Sequence, residues 1–305
     1  MRDNPSTNIT TVSRRDVLKM TATGLLAAAA PAGVLRATEC CGAEKPAKRI
    51  PICLQLYSVR DDCGKDIDKA MAQVAKMGFE GVEFAGYYKY DRDPKALKKK
   101  LDELGLKAPA THIGTSSFLG DALKKTIDFH KTLGCKFLIL PGNRDFTHPE
   151  KSKKLADMFN KLAEVLKAEG MFCGYHNHTA EFKKDGDKTY WELFADRTSD
   201  DVVLQQDIGW TVTAGQDPVA LIKKYPGRTK STHFKPAVVK GDAGKTHLIG
   251  QDSVPWKEVI TACYEVGGTE WFTIEQEHYP NGKSPAECSK LSLIGLKKIL
   301  ADMGK

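Results

Sequence analysis

The sequence has eight cysteines among 305 residues, but no two of them form a C-x-x-C pair. Zinc ribbons and dithiol redox motifs need such pairs, so both classes are excluded. Cys53, Cys135 and Cys173 fall inside apolar runs, where a free thiol behaves as a small buried hydrophobe. Three more cysteines lie in predicted loops or helices and leave a disulfide open: Cys63, Cys263 and Cys288.

Two other motifs are missing. No basic stretch contains interleaved aromatic residues, and most lysines belong to patterns typical of a solvated helix face, so nucleic acid is not an expected partner. No G-x-G-x-x-G follows the first apolar strand, which argues against a dinucleotide-binding open sheet. The formal net charge of +7 overstates the basicity of the main domain, because residues 1–38 carry five basic and two acidic side chains.

The sequence also lacks a convincing membrane span near its start. The apolar run over residues 21–35 is too short and too rich in alanine for a transmembrane helix, which needs about 20 predominantly apolar residues. It follows Arg14 and Arg15, and the arginine pair with its downstream leucine and lysine resembles the twin-arginine export motif. We therefore expect residues 1–38 to be a removable signal, residues 39–48 a linker, and residues 49–305 a single periplasmic or otherwise exported domain without stable membrane insertion.

Two alternatives to soluble export stay open. Cys40 and Cys41 follow the apolar run and could carry a lipid anchor, although Thr38 and Glu39 before them are a poor match to the small residues of a lipidation signal. The arginines could also belong to a basic N-terminal arm with an incidental apolar stretch.

From residue 49 onward, apolar β-rich runs alternate with segments of 3.6-residue periodicity, which is typical of βα units around a parallel sheet. Eight strands are predicted, over residues 52–58, 81–85, 108–113, 136–141, 172–178, 202–207, 231–235 and 271–277. A barrel of eight such units typically takes about 250 residues. We predict a closed (β/α)8 TIM barrel rather than an open doubly wound sheet.

Prolines and glycines mark the predicted helix ends. Asp93-Pro94 and Asp217-Pro218 each place a capping side chain before a first-turn proline, and Thr147 with Glu150 predicts a capping box. Six glycines are expected in the left-handed conformation where helices end: Gly78, Gly105, Gly134, Gly170, Gly227 and Gly267.

Ionisable side chains collect at the predicted C-terminal ends of the strands, where TIM barrels carry their chemistry. The residues at or just beyond these ends are Glu83, His112, His176, His178, Glu181, Asp207, Trp210, His233, Lys235, Glu275 and Glu277. A parallel strand buried on both faces should be nearly all apolar, so such groups are costly unless paired or bound to a cation. Asp207, His233 and Glu275 suit one divalent cation, Mn²⁺, Mg²⁺, Co²⁺ or Zn²⁺, with open positions for a chelating substrate.

Individual residues of this set have simpler interpretations. His112 alone could be a hydrogen-bonded structural histidine, and Glu83 could be a buried partner of an arginine such as Arg60.

The sequence resembles the xylose-isomerase-like sugar isomerase/epimerase superfamily over essentially all of residues 49–305. The motifs that carry the resemblance are LQLYSVR at 54–60, GVEF at 81–84, YHNH at 175–178, DIGW at 207–210, HFK at 233–235 and IE at 274–275. In that superfamily a divalent ion is held by a Glu, an Asp, a His and a Glu on the fifth to eighth strands. The resemblance therefore implies Asp207, His233 and Glu275 as metal ligands.

The fifth strand departs from the superfamily pattern, because His176 stands where a glutamate is usual. Glu181 is slightly favoured as the replacement ligand, and His176 or His178 is the alternative. The departure matters because the epimerases use the glutamates of the fifth and eighth strands as two bases on opposite faces of the substrate. The histidine-rich fifth strand is similar to that of inosose dehydratase, a lyase of the same superfamily.

The resemblance implies a cation-dependent enzyme that acts on a carbohydrate or cyclitol through an enediolate. We expect a sugar isomerase or epimerase acting on a non-phosphorylated sugar or keto-sugar, because sugar phosphates are cytosolic. The alternatives are a lyase that eliminates water or an alcohol from a keto-sugar, 3-keto-glycoside or inosose, and a non-catalytic sugar-binding barrel. Catalytic roles are assigned to His176, His178, Lys235 and Glu275, and substrate contacts to Glu83, His112, Trp210 and Glu277.

The oligomeric state stays open at this point. The last helix and the loop over residues 240–251 could pack on a second copy of the chain or close over the site, so a homo-oligomer is one of the expectations.

Overall fold

The computed structural model describes residues 49–305, so the predicted export signal and linker lie outside the described residues. Ten strands occur in this part of the chain: β1 (Ile52–Gln55), β2 (Gly81–Glu83), β3 (Ala110–His112), β4 (Phe137–Leu140), β5 (Phe172–His176), β6 (Lys184–Asp185), β7 (Lys188–Thr189), β8 (Val203–Gln205), β9 (Ser231–Phe234) and β10 (Trp271–Ile274). All eight predicted strands are present, and β6 and β7 form a small antiparallel hairpin that the sequence did not predict.

The other eight strands pair in parallel and close into a ring. Two four-stranded sheets have the orders β2-β1-β10-β9 and β3-β4-β5-β8. They are joined by parallel bridges between Phe84 and Thr111 on one side and between Asp207 and His233 on the other. The fold is therefore the predicted (β/α)8 barrel, and the β8–β9 seam passes through two of the predicted metal ligands.

Nine α-helices surround the strands: α1 (Arg60–Met77), α2 (Pro94–Glu103), α3 (Asp121–Leu133), α4 (Lys151–Ala168), α5 (Tyr190–Arg197), α6 (Ile208–Thr213), α7 (Pro218–Lys224), α8 (Trp256–Ala262) and α9 (Pro285–Asp302), counted over residues 49–305. The side chains of Asp93 and Asp217 cap α2 and α7 as predicted. Within the described part of the chain, no helix combines the length and apolarity needed to cross a bilayer.

Two predicted helix boundaries are wrong. Thr147 closes a 3-10 turn instead of starting a capping box, and α4 begins at Lys151, where the His148 ring accepts hydrogen bonds from the first backbone N–H groups. At the end of α8 the left-handed residue is Gly268, with φ of 65°, because Cys263–Gly267 winds as a π-helical turn and moves the stop by one residue.

The barrel strands are shorter than predicted at their C-terminal ends. After β1 the chain turns into a 3-10 helix at Leu56–Val59, because the Gln55 side chain accepts a hydrogen bond from the Tyr57 N–H at 3.1 Å. β5 stops at His176 and β10 at Ile274. The residues that follow these strands are therefore carried by loops at the mouth of the barrel.

The barrel interior has an apolar lower layer and a polar upper layer. Ala110, Phe137, Ile139 and Val203 form the lower layer, and each is fully buried. On β3 and β8 the next alternate residues, His112 and Gln205, are polar and point to the same interior, as the two-residue period of a strand requires. The six described cysteines are free and buried, so no disulfide forms among residues 49–305.

Candidate metal centre and active-site cleft

Four side chains converge above the apolar layer. His176, Asp207, His233 and Glu275 each offer a ligand atom, and these atoms lie within 4.8 Å of one another. β5 and β9 carry the histidines, whereas Asp207 lies two residues after the end of β8 and Glu275 one residue after the end of β10. All four residues are buried. We call this set the ligand cluster.

The two carboxylate oxygens of Asp207 have different roles: one caps a helix, and the other faces the ligand cluster. Oδ1 caps α6 by accepting a hydrogen bond from the Trp210 N–H at 2.7 Å. Oδ2 is buried without a hydrogen-bond partner and lies 3.9 Å from both His176 Nε2 and His233 Nδ1. Burial raises the pKa of Asp207 to about 7, against the lowering effect of Lys235. A buried carboxylate oxygen that faces two imidazoles fits a divalent cation.

His233 bridges two carboxylates. Its Nε2 is 2.8 Å from Glu83 Oε1 and its Nδ1 is 2.9 Å from Glu275 Oε2. Burial alone would lower its pKa, but Glu83 and Glu275 outweigh burial and raise the pKa to about 10. Metal-ligating imidazoles are neutral, so cation binding at this ring requires release of a proton.

The other histidine of the cluster is already in the neutral form. Burial, followed by the positive charge of His233, brings the pKa of His176 well below its ordinary value. Its Nδ1 is buried without a hydrogen-bond partner. Glu275 is ionised, because Lys235 and His233 outweigh the effect of burial and hold its pKa well below the usual range.

The structure corrects the preference for Glu181 as the fifth-strand ligand. Glu181 lies in a 3-10 turn at Ala180–Phe182, and its carboxylate folds back onto its own loop. Its Oε2 accepts from the His178 N–H at 2.8 Å, and its Oε1 accepts from the Tyr175 hydroxyl at 3.2 Å. The alternative ligand, His176, occupies the position in the cluster instead.

Beneath the ligand cluster lies a polar floor in contact with His233, made of the buried residues Gln55, Glu83 and Gln205 and bordered by His112, which is partly buried and also lines the cleft. Glu83 is fully buried at its centre. The two amides donate to its carboxylate at 2.8 and 2.9 Å. Burial raises the pKa of Glu83, but the interactions of its carboxylate with His233 and His112 prevail and lower it to about 2.

Two expectations about Glu83 are therefore wrong. The carboxylate sits below the imidazoles instead of in the cleft, so it is not placed to contact a substrate. Arg60 is not its partner either, because the guanidinium contacts the Tyr57 carbonyl at 3.0 Å and the Tyr279 hydroxyl at 3.5 Å.

A cleft of about 340 Å³ opens above the cluster at the barrel mouth. Its lining residues are Tyr57, Ala85, His112, Pro141, His176, His178, Trp210, Glu275 and Glu277. The cleft thus brings together three residues predicted to contact substrate and three predicted to be catalytic. Their roles stay predictions.

Lys235, the fourth predicted catalytic residue, is buried beside this cleft and contacts two of its lining residues, Trp210 and Glu277. Its ammonium group is hydrogen-bonded to the Glu277 carboxylate. It lies 3.5 Å from Glu275 Oε2 and 4.0 Å from Asp207 Oδ2. The Trp210 ring packs against it, with 4.4 Å between Nζ and the ring centroid. These carboxylates overcome the effect of burial and raise the pKa of Lys235. The side chain is therefore a buried cation that offsets part of the negative charge of the site.

Sequence reasoning missed three residues that shape the site. Gln55 and Gln205 are single polar residues at inward positions of otherwise apolar strands, a signal that could have identified both. Asn177 was noted only as part of a motif. Its side chain accepts from the Asp207 N–H at 2.9 Å and so fixes the backbone of a cluster residue.

Comparison with known proteins agrees with this architecture. The family of xylose isomerase-like TIM barrels matches residues 71–294. Inosose dehydratase of Clostridium beijerinckii is 30% identical over 269 residues, which cover 74% of this chain and 88% of that protein. Inosose dehydratase of Clostridium botulinum is 28% identical over 270 residues, with the same coverage of 74% and 88%. The crystal structure of a sugar phosphate isomerase/epimerase from Parabacteroides distasonis superposes with a TM-score of 0.68 at 28% identity, covering 82% of this chain and 98% of that one.

Proposed function

This chain belongs to the xylose isomerase-like TIM barrel family, and we propose that it is a divalent-cation-dependent lyase. In this proposal it eliminates water or an alcohol from a keto-sugar, a 3-keto-glycoside or an inosose. The observation that carries the proposal is the fifth barrel strand, which supplies His176 to the ligand cluster where epimerases supply a carboxylate. The two relatives named inosose dehydratase add support.

The number of available carboxylates favours elimination. An epimerase of the two-base type needs carboxylates on both faces of the substrate, and here Glu181 is turned away onto its own loop. Asp207 and Glu275 are the carboxylates of the ligand cluster, where both would be engaged with the cation. Elimination needs one base and one acid, which this chain can supply from an imidazole.

The ligand cluster would hold the cation. Two imidazoles with two carboxylates form a donor set that suits Mn²⁺, Co²⁺ or Zn²⁺ better than Mg²⁺, which prefers oxygen ligands. The unpartnered Oδ2 of Asp207 is the feature that fits such an ion. When bound, the ion supplies Lewis-acid polarisation of the substrate carbonyl and its neighbouring hydroxyl.

His178 is the group we assign to proton transfer. Its ring lines the cleft and makes no side-chain hydrogen bond to any described residue, so both nitrogens can reach substrate. Partial desolvation in the cleft lowers its pKa, so the ring is neutral and can accept a proton near pH 7. The imidazole accepts the proton from the carbon next to the carbonyl. It then donates that proton to the departing β-oxygen, as the C–O bond breaks and a C=C bond forms.

Neighbouring side chains pack around the groups that take part in this reaction. The Trp210 ring covers the Lys235 ammonium group and lines the cleft beside His178, with ring centroids 5.8 Å apart. Lys235 keeps Glu275 ionised and in place.

Isomerisation is the second candidate. The Parabacteroides distasonis protein named a sugar phosphate isomerase/epimerase favours it, at 28% identity over nearly its whole length. For this chain we propose a non-phosphorylated substrate, because the arginine pair before the apolar run indicates twin-arginine export and sugar phosphates stay in the cytosol.

Product analysis in deuterated solvent tests the proposal. The metal-free protein is reconstituted with Mn²⁺, Co²⁺ or Zn²⁺ and incubated with an inosose and with a 3-keto-glycoside, and products are followed by NMR. A dehydrated or unsaturated product supports the lyase. Deuterium at the reacting carbon of a product that has lost nothing refutes it in favour of the isomerase, and a protein that binds no ion refutes both.

A further inference from the structure

We propose that Glu83 is a positioning residue that fixes two imidazoles from beneath the metal centre, namely His233 in the ligand cluster and His112 in the cleft wall. The inference rests on the proposed metal dependence. It assigns to Glu83 no contact with substrate or cation.

Three side chains are hydrogen-bonded to the Glu83 carboxylate, and the His112 ring lies within contact distance of it. Its Oε1 lies 2.8 Å from His233 Nε2, 2.8 Å from His112 Nε2 and 2.8 Å from Gln55 Nε2. Its Oε2 accepts from Gln205 Nε2 at 2.9 Å. The three hydrogen-bond partners come from β1, β8 and β9 and His112 comes from β3, so a single fully buried carboxylate contacts strands from both halves of the barrel.

This arrangement determines which nitrogen of His233 can bind an ion. A carboxylate that accepts a hydrogen bond from one ring nitrogen fixes the tautomer and makes the other nitrogen a better ligand. Because Glu83 holds Nε2, the lone pair of a neutral His233 ring lies on Nδ1, which is the nitrogen that faces Asp207 and Glu275. Without Glu83, the remaining carboxylate bonded to the ring would be Glu275, which holds Nδ1, the nitrogen that the cation needs.

The same oxygen also places His112. The His112 ring stacks on the His233 ring, with centroids 5.1 Å apart and planes 10° apart, and it lines the cleft. The Gln205 Oε1 lies 2.7 Å from His112 Nε2 and so limits rotation of that ring. One buried carboxylate therefore sets the positions of a metal ligand and of a side chain that faces substrate.

Ion affinity separates a positioning role from a purely structural one. Glu83→Gln keeps the shape of the side chain but replaces a charged acceptor with an amide. We expect it to weaken Zn²⁺ or Mn²⁺ binding, titrated calorimetrically into the metal-free protein, by roughly 10- to 100-fold. The matched control is Gln55→Met, which removes a donor to the same Glu83 oxygen but is bonded to neither imidazole, and it should lower thermal stability with a smaller loss of ion affinity than Glu83→Gln.

Two results would overturn the inference: wild-type ion affinity in Glu83→Gln, or an equal loss of affinity in Gln55→Met. If Glu83→Gln does not fold, the His233 tautomer in the Zn²⁺-loaded wild-type protein decides, measured by long-range ¹H–¹⁵N NMR. A proton on Nε2 is the expected result, and a proton on Nδ1 contradicts the proposal. A wild-type protein that binds no divalent ion overturns the proposed function as well, whereas normal wild-type binding with an unaffected Glu83→Gln overturns this inference alone.

Discussion

Asp207 and His233 are backbone partners across the β8–β9 seam of the barrel, and their side chains belong to the same ligand cluster. The His233 N–H also donates to the Gln206 carbonyl at 2.9 Å, so this seam depends on few backbone bonds. An ion held by these two residues would link the two half-barrels at this point. Metal binding and barrel closure should therefore be coupled.

Addition of a divalent ion to the metal-free protein should raise its unfolding temperature. At an ion concentration 100 times the dissociation constant, binding to the folded state alone adds about 2.7 kcal/mol to the free energy of unfolding. Asp207→Asn keeps a good helix cap for α6 and should lose this response. Asp217→Asn, the equivalent change at the cap of α7, should keep it, and calorimetric melts with and without ion make the comparison. An equal shift in the two variants would contradict the coupling.

Replacement of His178 should abolish turnover and spare the metal site. His178→Asn removes the proposed proton carrier, and we expect kcat to fall by roughly 10²- to 10⁴-fold. Metal content of the purified variant should match that of the wild type, because the ring lies outside the ligand cluster. The control, His148→Asn, changes a histidine at the start of α4 and should leave kcat unaltered. Loss of metal from His178→Asn would argue for a ligand role instead.

Lys235→Met should tighten cation binding while it reduces turnover. The ammonium group is buried and lies 4.0 Å from Asp207 Oδ2, so it repels an ion in the cluster. At an effective dielectric constant of about 20, two unit charges about 4 Å apart interact by about 4 kcal/mol, enough for a gain in affinity of roughly tenfold or more. Lys188→Met removes an exposed lysine paired with Asp196 and serves as the control. Weaker ion binding by Lys235→Met would contradict this electrostatic role.

His130 should make the fold less stable in mild acid. Burial lowers its pKa from 6.5 to about 4, and the neutral ring is held between the Tyr87 hydroxyl and the Thr126 carbonyl. Between these two pH values the unfolded chain binds a proton that the folded chain does not, so stability falls as pH falls through this window. The full loss is about 3 kcal/mol.

Chemical denaturation between pH 4 and 7 measures this effect. His130→Gln cannot titrate, so its stability should depend less on pH than that of the wild type over the same window. His148→Gln, a change at a histidine near the protein surface, should retain the wild-type slope. Parallel curves for the wild type and His130→Gln would show that another group causes the acid sensitivity.

Export is predicted to depend on the arginine pair. The double substitution Arg14→Lys and Arg15→Lys preserves charge but removes the feature that resembles a twin-arginine signal. Cell fractionation should then find the variant in the cytoplasm, still at precursor length. The matched change Arg2→Lys should be exported normally. Export of the double variant would contradict the twin-arginine prediction, and a general secretory route or a different signal would then have to explain the export.

The sequence was a good guide to the strands and a poorer guide to their ends. Period and composition identified each barrel strand, because burial on both faces forces apolar runs. The ends of the elements depend on competition between local hydrogen-bond acceptors and turn types, and the apolar runs carry no information about it. At Thr147 the expected cap was displaced because the His148 ring took the same N–H groups, and at Gly267 a π-helical turn moved the left-handed residue forward by one.

The ligand cluster was partly predictable for a similar reason. Asp207, His233 and Glu275 are polar residues at the ends of buried strands, where polarity is costly and therefore informative. The choice between Glu181 and His176 could not be made, because it depends on a side chain folding back onto its own loop. The position of Glu83 depends on a partner, His233, that lies 150 residues further along the chain.

The six free cysteines of the barrel are each at most 2% exposed. Thiols enclosed in this way are inaccessible to oxidases, so a chain that folds in the reducing cytoplasm and crosses the membrane in folded form would keep them reduced. A chain that crosses the membrane unfolded would instead expose these thiols to an oxidising compartment before the barrel forms, when they can still form incorrect disulfides. Titration of reactive thiols in the exported protein after denaturation would therefore record where the barrel folded.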